Sequence, residues 1–432
     1  MDWLVIVFLL IACYALIAAY LYTRKVAPDT ISFYGPILAI KSHSVGIFDS
    51  LTRFRSVLRA YGTAGVVIVA AVSLFITVLL FISLQYTLII RPPPTGIYEP
   101  QNIFLLPGIN DYVPSTFAVW FAFILTIVVH EFGHGILCRV EDLKVRSMGV
   151  LVAVIPIGFF VEPDEEELER AKGVPKARIF GAGISNNIAI GLISFFILFL
   201  LVGFAVPATA PIVHGEYKDY PAAVAGIPLN SVIRQVNGFD VHTPSDIALI
   251  LNSTKPGDEI TVQADYQGQI TTYQITLAAW PNGTTPPRDS GFMGIYYYPA
   301  TAIAATMQSL ATPTGFVRFI AVPFDMSMEG RYLRILAFDV PEQEYYGVPL
   351  PWIFWGLVHL AFWCAWININ VGIFNAIPMI PLDGGYIMKE GVDGLLRRWG
   401  VPHLSRYVVA LISWVMITII VALIALPYLL HL

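Results

Sequence analysis

"ILTIVVHEFGHGILCRV", from Ile124 to Val140, places two histidines and a glutamate within an apolar run. Ionisable side chains are costly at membrane depth, and those found there usually serve a function. On a helix, residues four positions apart lie on one face, so His130 and His134 can both reach one metal ion, with Glu131 beside them. The stretch therefore predicts a membrane helix that carries a metal site.

The composition of the whole chain is that of a membrane protein. Of its 432 residues, 56% are hydrophobic and 13% are charged, whereas soluble domains carry about 25% charged residues. A helix needs roughly 20 mostly apolar residues to cross the hydrocarbon core. Six stretches meet this requirement, and we expect each to span the membrane: 3–22, 64–90, 117–138, 184–206, 352–374 and 407–429.

The distribution of lysine and arginine predicts the orientation. The loops after spans one, three and five are rich in both residues, whereas the loop after span two offers only Arg91. Basic loops stay inside, so both termini and the long fourth loop are predicted to be extracytoplasmic, and the active site lies nearer the cytoplasmic side. Two glycosylation sequons, at Asn252 and Asn282, agree with this orientation. The net charge of −5 gives no footprint for nucleic acid.

Two histidines leave a catalytic metal site one protein ligand short. "NVGIFNAIPMIPLDGG", residues 370–385, breaks the fifth span with prolines and glycines at the point where Asp383 appears. Irregular backbone at membrane depth is tolerated only inside protein or along a watery cavity. The third and fifth spans run in the same direction, so Asp383 and the histidines share one depth. We expect Asp383 to be the third ligand; the alternative is an ordinary cytoplasmic turn.

Together the two motifs resemble the site-2 protease family of intramembrane zinc metalloproteases. That family pairs His-Glu-x-x-His with Asn-x-x-Pro-x-x-x-Leu-Asp-Gly, which this sequence matches at Asn375, Pro378, Leu382, Asp383 and Gly384. The family also has a Gly-Pro-x-x-Asn pattern in the next span. It aligns with Gly183 and Asn187 here, but Ile184 replaces the proline, so the alignment leaves Asn186 as an alternative to Asn187.

The resemblance implies a reaction and a role for each residue. One Zn²⁺ per chain is expected at His130, His134 and Asp383, with Glu131 as the general base toward a zinc-activated water. The Asn187 amide is expected to hydrogen-bond to the developing oxyanion. The resemblance also implies that the substrates are single-span membrane proteins in the lipid bilayer, which such an enzyme is expected to cut within or near their transmembrane segments in regulated intramembrane proteolysis.

The fourth loop has the composition of a small soluble domain from about residue 208 to 300. "SVIRQVNGFDV" and "DEITVQADYQGQITTYQITL" predict strands around Asn-Gly and Gln-Gly turns, and "PSDIALILNS" predicts a short helix. This part resembles a PDZ domain without a clear carboxylate-binding loop; the alternative is a β-rich plug that binds no ligand. From its placement we expect it to exclude intact substrates and admit those already trimmed by another protease.

Residues 145–163, "VRSMGVLVAVIPIGFFVEP", are too few to span twice and predict a re-entrant β-hairpin, either a substrate-contacting ribbon or a structural one. The predicted fold is thus an α-helical polytopic membrane protein with about six transmembrane helices, this hairpin and an inserted β-rich PDZ-like domain. The predicted divisions are helices one and two with their loop, catalytic helices three and four, the PDZ-like domain, a connector, and helices five and six: 1–113, 114–207, 208–300, 301–350 and 351–432.

Two other functions compete with proteolysis. A catalytically inert scaffold could use the PDZ-like domain to bind partner proteins, but it would not need Glu131, which would activate water without binding the metal. A metal transporter would spread charged or histidine-rich groups along several spans, whereas here they converge on one site. The sequence therefore favours a membrane-embedded zinc metalloendopeptidase.

Overall fold

A computed structural model describes residues 3–102, 105–283, 288–325 and 327–431. The chain divides into two compact units. The first contains Met1–Leu198, Phe319–Met326 and Gly356–Leu432, and the second contains Phe199–Arg318 and Ser327–Trp355.

The first unit is built mainly from long helices. Apolar segments become helices in a membrane because a helix satisfies all of its backbone hydrogen bonds internally. Up to the second unit, the elements are α1 (Trp3–Arg24), β1 (Ile31–Tyr34), β2 (Ile37–Ser42), α2 (Gly46–Leu51), α3 (Arg55–Ile90), α4 (Phe117–Val140), β3 (Val145–Ala153), β4 (Ile155–Pro163), α5 (Glu165–Arg170) and α6 (Val174–Val202).

The second unit contains short strands and helices, and the chain then returns to the first. The short elements are β5 (Val206–Pro207), β6 (Val213–Glu216), α7 (Pro221–Ala225), β7 (Val232–Val236), β8 (Phe239–Asp240), α8 (Pro244–Leu251), β9 (Glu259–Tyr266), β10 (Gln269–Thr276), β11 (Ile295–Tyr297), α9 (Ala300–Gln308), α10 (Pro313–Ala321), α11 (Met328–Leu333) and β12 (Tyr346–Gly347). The last helices are α12 (Pro351–Asn375), α13 (Asp383–Arg398) and α14 (Ser405–Leu429).

The protein is a multi-pass membrane protein. Within the described residues, five helical segments are long and apolar enough to cross a membrane: Gly46–Ile90, Phe117–Val140, Val174–Val202, Pro351–Asn375 and Pro402–Leu429. They coincide with the second to sixth predicted spans. The first predicted span lies in helix α1, Trp3–Arg24, which contains the apolar segment Phe8–Arg24. A sixth crossing therefore stays a prediction.

The predicted hairpin is part of a larger antiparallel sheet with the strand order β1-β2-β3-β4. In the hairpin, Val150 of β3 lies opposite Phe159 of β4. The loop after α1, where no strand was predicted, contributes β1 and β2, and β2 pairs with the other edge of β3. The Lys41 ammonium lies 3.0 Å from the Glu162 carboxylate and so ties β2 to β4. In this strand order β3 is an interior strand of the sheet and β4 is an edge strand.

The second unit contains the predicted hairpins and helix. Its main sheet has the order β10-β9-β7-β8. Asn237-Gly238 and Gln267-Gly268 turn with positive φ at both residues, which two-residue hairpin turns of this type require. Helix α8 begins with a capping box between Thr243 and Asp246. The sheet packs on a core that includes buried residues from β6 to β11, and a cavity of about 450 Å³ lies beside α8 and β11.

Candidate metal centre

Two glycines allow α4 and α6 to approach each other at the histidines. A Cβ atom built on Gly133, inside the His-Glu-x-x-His motif, would lie 2.8 Å from the Ala182 carbonyl of α6. One built on Gly183 would lie 2.6 Å from His134 Nε2 and 2.8 Å from His130 Nε2. Real Cβ atoms are almost never this close to a neighbour. The helices could therefore not pack at this distance with larger residues at either position.

The three predicted ligands lie together. His130 Nε2 is 3.0 Å and His134 Nε2 is 3.4 Å from the same Asp383 oxygen, Oδ2. One ligand atom from each residue falls within 4.8 Å of the other two, as metal binding requires. Asp383 Oδ2 is buried and makes no hydrogen bond of normal geometry within the described residues. The ligand atoms therefore face a common point at which a cation would neutralise the carboxylate.

The Nδ1 atoms of both histidines, which lie on the side of each ring away from Asp383, also have neighbours. His134 Nδ1 lies 2.8 Å from the Ile179 carbonyl of α6, so it donates to that oxygen. His130 Nδ1 lies 3.1 Å from the amide nitrogen of Asn187, whose side chain is fully buried. A histidine that binds metal through one nitrogen carries its proton on the other and needs an acceptor there. The Ile179 carbonyl meets that need for His134.

Asp383 is the first residue of α13, which follows the end of α12 after a short non-helical segment, residues 376–382. The chain between the two helices folds back so tightly that a Cβ atom on Gly384 would overlap the Ala376 carbonyl, and one on Gly385 would overlap Met379. These glycines let α13 begin against the end of α12, and that geometry brings the Asp383 carboxylate to the histidines. The break that the prolines and glycines predict is therefore the feature that places the third ligand candidate.

Glu131 faces the edge of the sheet. Its Oε2 accepts a hydrogen bond of 3.1 Å from the backbone N–H of Val161 in β4. Glu131 also lines a cavity of about 340 Å³ together with Phe132 and residues of β2, β3 and β4. Because this N–H points away from β3, the free edge of β4 runs past the glutamate. The sequence reasoning did not find this contact, since nothing in residues 145–163 indicates which strand lies beside α4.

The two asparagines of α6 have different neighbours. Asn187 contacts His130, whereas Asn186 donates to the Val129 carbonyl of α4 at 2.8 Å and accepts a hydrogen bond from the Tyr61 hydroxyl of α3 at 2.8 Å. The alignment left both residues open, and the structure places Asn187 beside His130, one of the predicted metal ligands. Asn186 links α4 to α6 and α3.

A model of peptidase family M50 matches residues 118–423, more than half of the chain and all of the residues assembled at this site. The chain belongs to peptidase family M50. The predicted family and enzyme class are thereby confirmed, and the M50 chain is a membrane metalloendopeptidase rather than an inert scaffold.

Named relatives agree with the family. The M50 chain is 25% identical over 348 residues to a candidate zinc metalloprotease of Mesorhizobium japonicum, covering 64% of this chain and 89% of that protein. It is 27% identical over 218 residues to the membrane-bound transcription factor site-2 protease homolog of Arabidopsis thaliana, covering 48% and 40%. It is 24% identical over 235 residues to the zinc metalloprotease RasP of Shouchella clausii, covering 52% of each chain.

One solved structure similar to part of the M50 chain is the PDZ domain of an SdrC-like protein from Listeria monocytogenes. The two share 18% identity over 21% of this chain and 90% of that domain, with a TM-score of 0.19. A score this low carries no argument about the fold. The second unit is therefore PDZ-like by its sequence pattern of strands, turns and a short helix.

We expect Gly183→Ala to abolish metal binding, because the added methyl group would occupy the space in front of both Nε2 atoms. Gly181→Ala is the matched control on the same helix, since a Cβ atom there meets its nearest neighbour at an ordinary 3.5 Å. The zinc content of the two purified variants is the measurement. A full complement of zinc in Gly183→Ala would show that the ion binds elsewhere.

Proposed function

We propose that the M50 chain hydrolyses peptide bonds within or near transmembrane segments of membrane-anchored substrates, at one zinc ion held by His130, His134 and Asp383. The observation that carries this proposal is the convergence of the three ligand atoms between membrane helices, beside a glutamate that faces a cavity. Catalytic zinc sites commonly use three protein ligands and keep one position open for water or substrate.

The donor set fits zinc. Imidazole nitrogens and a carboxylate oxygen are ordinary zinc ligands, and a buried carboxylate oxygen without a normal hydrogen bond needs a cation. A divalent ion would balance the charges of Asp383 and Glu131, while both histidines stay neutral. Such a balance lowers the cost of keeping ionisable groups at membrane depth.

Glu131 is the proposed general base. Zinc bound at the site would act as a Lewis acid and lower the pKa of water. The N–H of Val161 holds Oε2 of Glu131, which leaves Oε1 to take a proton from the attacking water. The same carboxyl group would then give that proton to the departing amine.

Asn187 is the proposed positioning residue for His130. Its Oδ1 is buried without a hydrogen-bond partner within the described residues, and its Nδ2 lies 3.1 Å from His130 Nδ1. A half-turn of the amide exchanges these two atoms and makes Oδ1 the acceptor of the Nδ1 proton. His130 would then present an unprotonated Nε2 to zinc, as the Ile179 carbonyl arranges for His134. The expected contact between Asn187 and the oxyanion stays a prediction.

The free edge of β4 is the proposed binding surface for the unwound substrate. A helical substrate hides its carbonyls in backbone hydrogen bonds and must open locally before hydrolysis. An opened segment can add to a sheet edge as a further strand. Since β2 occupies the other edge of β3, the outer edge of β4 pairs with no strand among the described residues, and Glu131 contacts it.

Substrate trimming is a separate part of the proposal. The second unit is inserted in sequence between α6 and α12, two helices that supply or flank the site. We propose that it excludes substrates with large extracytoplasmic domains, so that another protease must act first. Its insertion between these helices and the family resemblance support this role.

Replacement of the base should separate metal binding from catalysis. Glu131→Gln should retain zinc and lose roughly 100-fold or more in cleavage rate, because an amide cannot take the proton. His134→Ala and Asp383→Ala should lose zinc as well, and Glu165→Gln, at an exposed site on α5, should change neither. Zinc analysis and cleavage of a single-span substrate in lipid are the measurements. Full activity in Glu131→Gln would refute the mechanism.

The acceptor at position 187 can be tested directly. Asn187→Asp keeps an oxygen for His130 Nδ1 and should retain zinc, whereas Asn187→Leu should lower zinc affinity by about 10–100-fold, the usual effect of removing such a partner. Competition with a metal chelator measures both affinities. Equal affinity in the Leu and wild-type proteins would remove Asn187 from the support of the ligand.

The β4 edge can be tested without altering the metal site. The N–H of Phe159, two residues before Val161, points in the same direction along the free edge, so Phe159→Pro removes one donor without breaking the pairing with β3. We expect slower cleavage and unchanged zinc content, with Phe159→Ala as the control for loss of the ring. Equal rates for the Pro and Ala variants would mean that substrates do not pair with β4.

A further inference from the structure

Two adjacent cavities lie among the membrane helices, and neither is lined by His130, His134 or Asp383. The larger, about 600 Å³, lies between α3, α6, α13 and α14 and has mostly apolar walls, which include Val69, Leu74, Ile387 and Ile412. Leu74 is 67% exposed, so this cavity opens toward the lipid.

The smaller cavity, about 220 Å³, is charged. It is lined by four cations and three acids: Lys172, Lys176, Lys389 and Arg397, with Glu169, Glu390 and Asp393. Neighbouring residues line different cavities: Gly173 and Ala177 line the apolar one, and Lys172 and Lys176, which each precede one of them, line the charged one. Glu390 borders both cavities. An apolar space and a charged space are therefore adjacent, with Glu390 at the boundary between them.

The charges of the smaller cavity are only partly paired. Glu390 is buried, accepts a hydrogen bond from the Gly173 N–H at 2.7 Å and lies 3.8 Å from the Lys176 ammonium. Lys389 pairs with Asp393 at 3.0 Å. In the described part of the chain Lys172 and Arg397 form no ion pair, although Arg397 Nε donates to the Asp393 carbonyl at 2.9 Å. Both side chains are exposed, as is Glu169, the third acid of the cavity. Two cations are thus available to an anion at this boundary.

The boundary has the character of a membrane interface. Helix α13 ends with Arg397 and Arg398, followed by Trp399, which is 67% exposed. Tryptophan and basic side chains concentrate where the hydrocarbon core meets water. The charged cavity therefore lies at the depth of lipid headgroups, on the side that the basic loops predict to be cytoplasmic.

We propose that the two cavities together bind one anionic phospholipid, with its phosphate beside Lys172 and Arg397 and an acyl chain in the apolar cavity. Charge complementarity favours an anionic headgroup. Size favours a lipid over a substrate helix: a helix with side chains is about 10–12 Å across, so about 600 Å³ holds little more than one turn of it. Pro378 and Gly384 also line the apolar cavity, so the bound lipid would support the segment that carries Asp383.

Binding can be measured on the full chain by native mass spectrometry after release from phosphatidylcholine nanodiscs with and without phosphatidylglycerol. We expect the protein to retain phosphatidylglycerol in preference to phosphatidylcholine. The double variant Lys172→Gln, Arg397→Gln should retain about tenfold less phosphatidylglycerol. The control Lys144→Gln, Arg398→Gln removes the same charge outside the cavity and should behave as wild type. Equal loss in both double variants, or equal retention of the two lipids, would overturn the proposal.

The apolar cavity can be filled without a clash. A Cβ atom on Gly391, which lines it, meets no atom within 4 Å, and the same holds for Gly394 on the same helix, which does not line it. Gly391→Leu should therefore displace phosphatidylglycerol, and Gly394→Leu should not. Displacement by inorganic phosphate alone would reveal a site for the headgroup only and overturn the two-cavity proposal.

Two further measurements separate this proposal from the proposed function. Glu131→Gln, which lacks only the base, should retain phosphatidylglycerol as the wild type does, so lipid binding is read without proteolysis. A photoreactive group at Leu74 should label phosphatidylglycerol. Labelling of a substrate's transmembrane helix in place of lipid would assign the cavity to substrate and overturn the lipid site, whether or not the zinc mechanism holds.

Discussion

The structure of the first unit depends on the close contact between α4 and α6. Two imidazoles and a carboxylate are tolerable at membrane depth only if each nitrogen and oxygen has a partner or a metal ion. At this contact, Gly133 and Gly183 leave room for the rings, the Ile179 carbonyl fixes one histidine, and Asn187 contacts the other. If α4 and α6 were farther apart, the Nδ1 atoms of His130 and His134 would lose their neighbours on α6. The two Nε2 atoms would then no longer be held facing Asp383.

Much of the site could be predicted from the sequence because its spacing has a direct geometric meaning. Residues four apart on a helix share a face, so the sequence alone predicts that His130 and His134 lie together. Asp383 is predicted to join them because prolines and glycines break a helix at membrane depth, where irregular backbone must be buried in protein or line a cavity. The structure brings the three side chains together. The five longest apolar helices followed from composition and length in the same way.

The remaining features depend on contacts between distant parts of the chain, which periodicity does not reveal. Two membrane helices, α3 and α4, separate β2 from β3 in the sequence, so the pairing of these strands leaves no local signal. Gly183 lets α6 approach the imidazoles of His130 and His134. The sequence does not indicate this role, because glycine is common in apolar segments. The choice between Asn186 and Asn187 likewise needed the position of α3, whose Tyr61 contacts the former.

The order of the ligands along the chain has a consequence for synthesis. His130 and His134 are made early, whereas Asp383 follows only after the whole second unit and α12 have been translated. Proteins are made from the amino terminus, and their parts fold in that order. A partly made chain that ends before Asp383 therefore lacks one of the three proposed ligands, and a ribosome that stalls in the second unit leaves the proposed metal site incomplete. The proposed chemistry can begin only after the start of α13 has been translated.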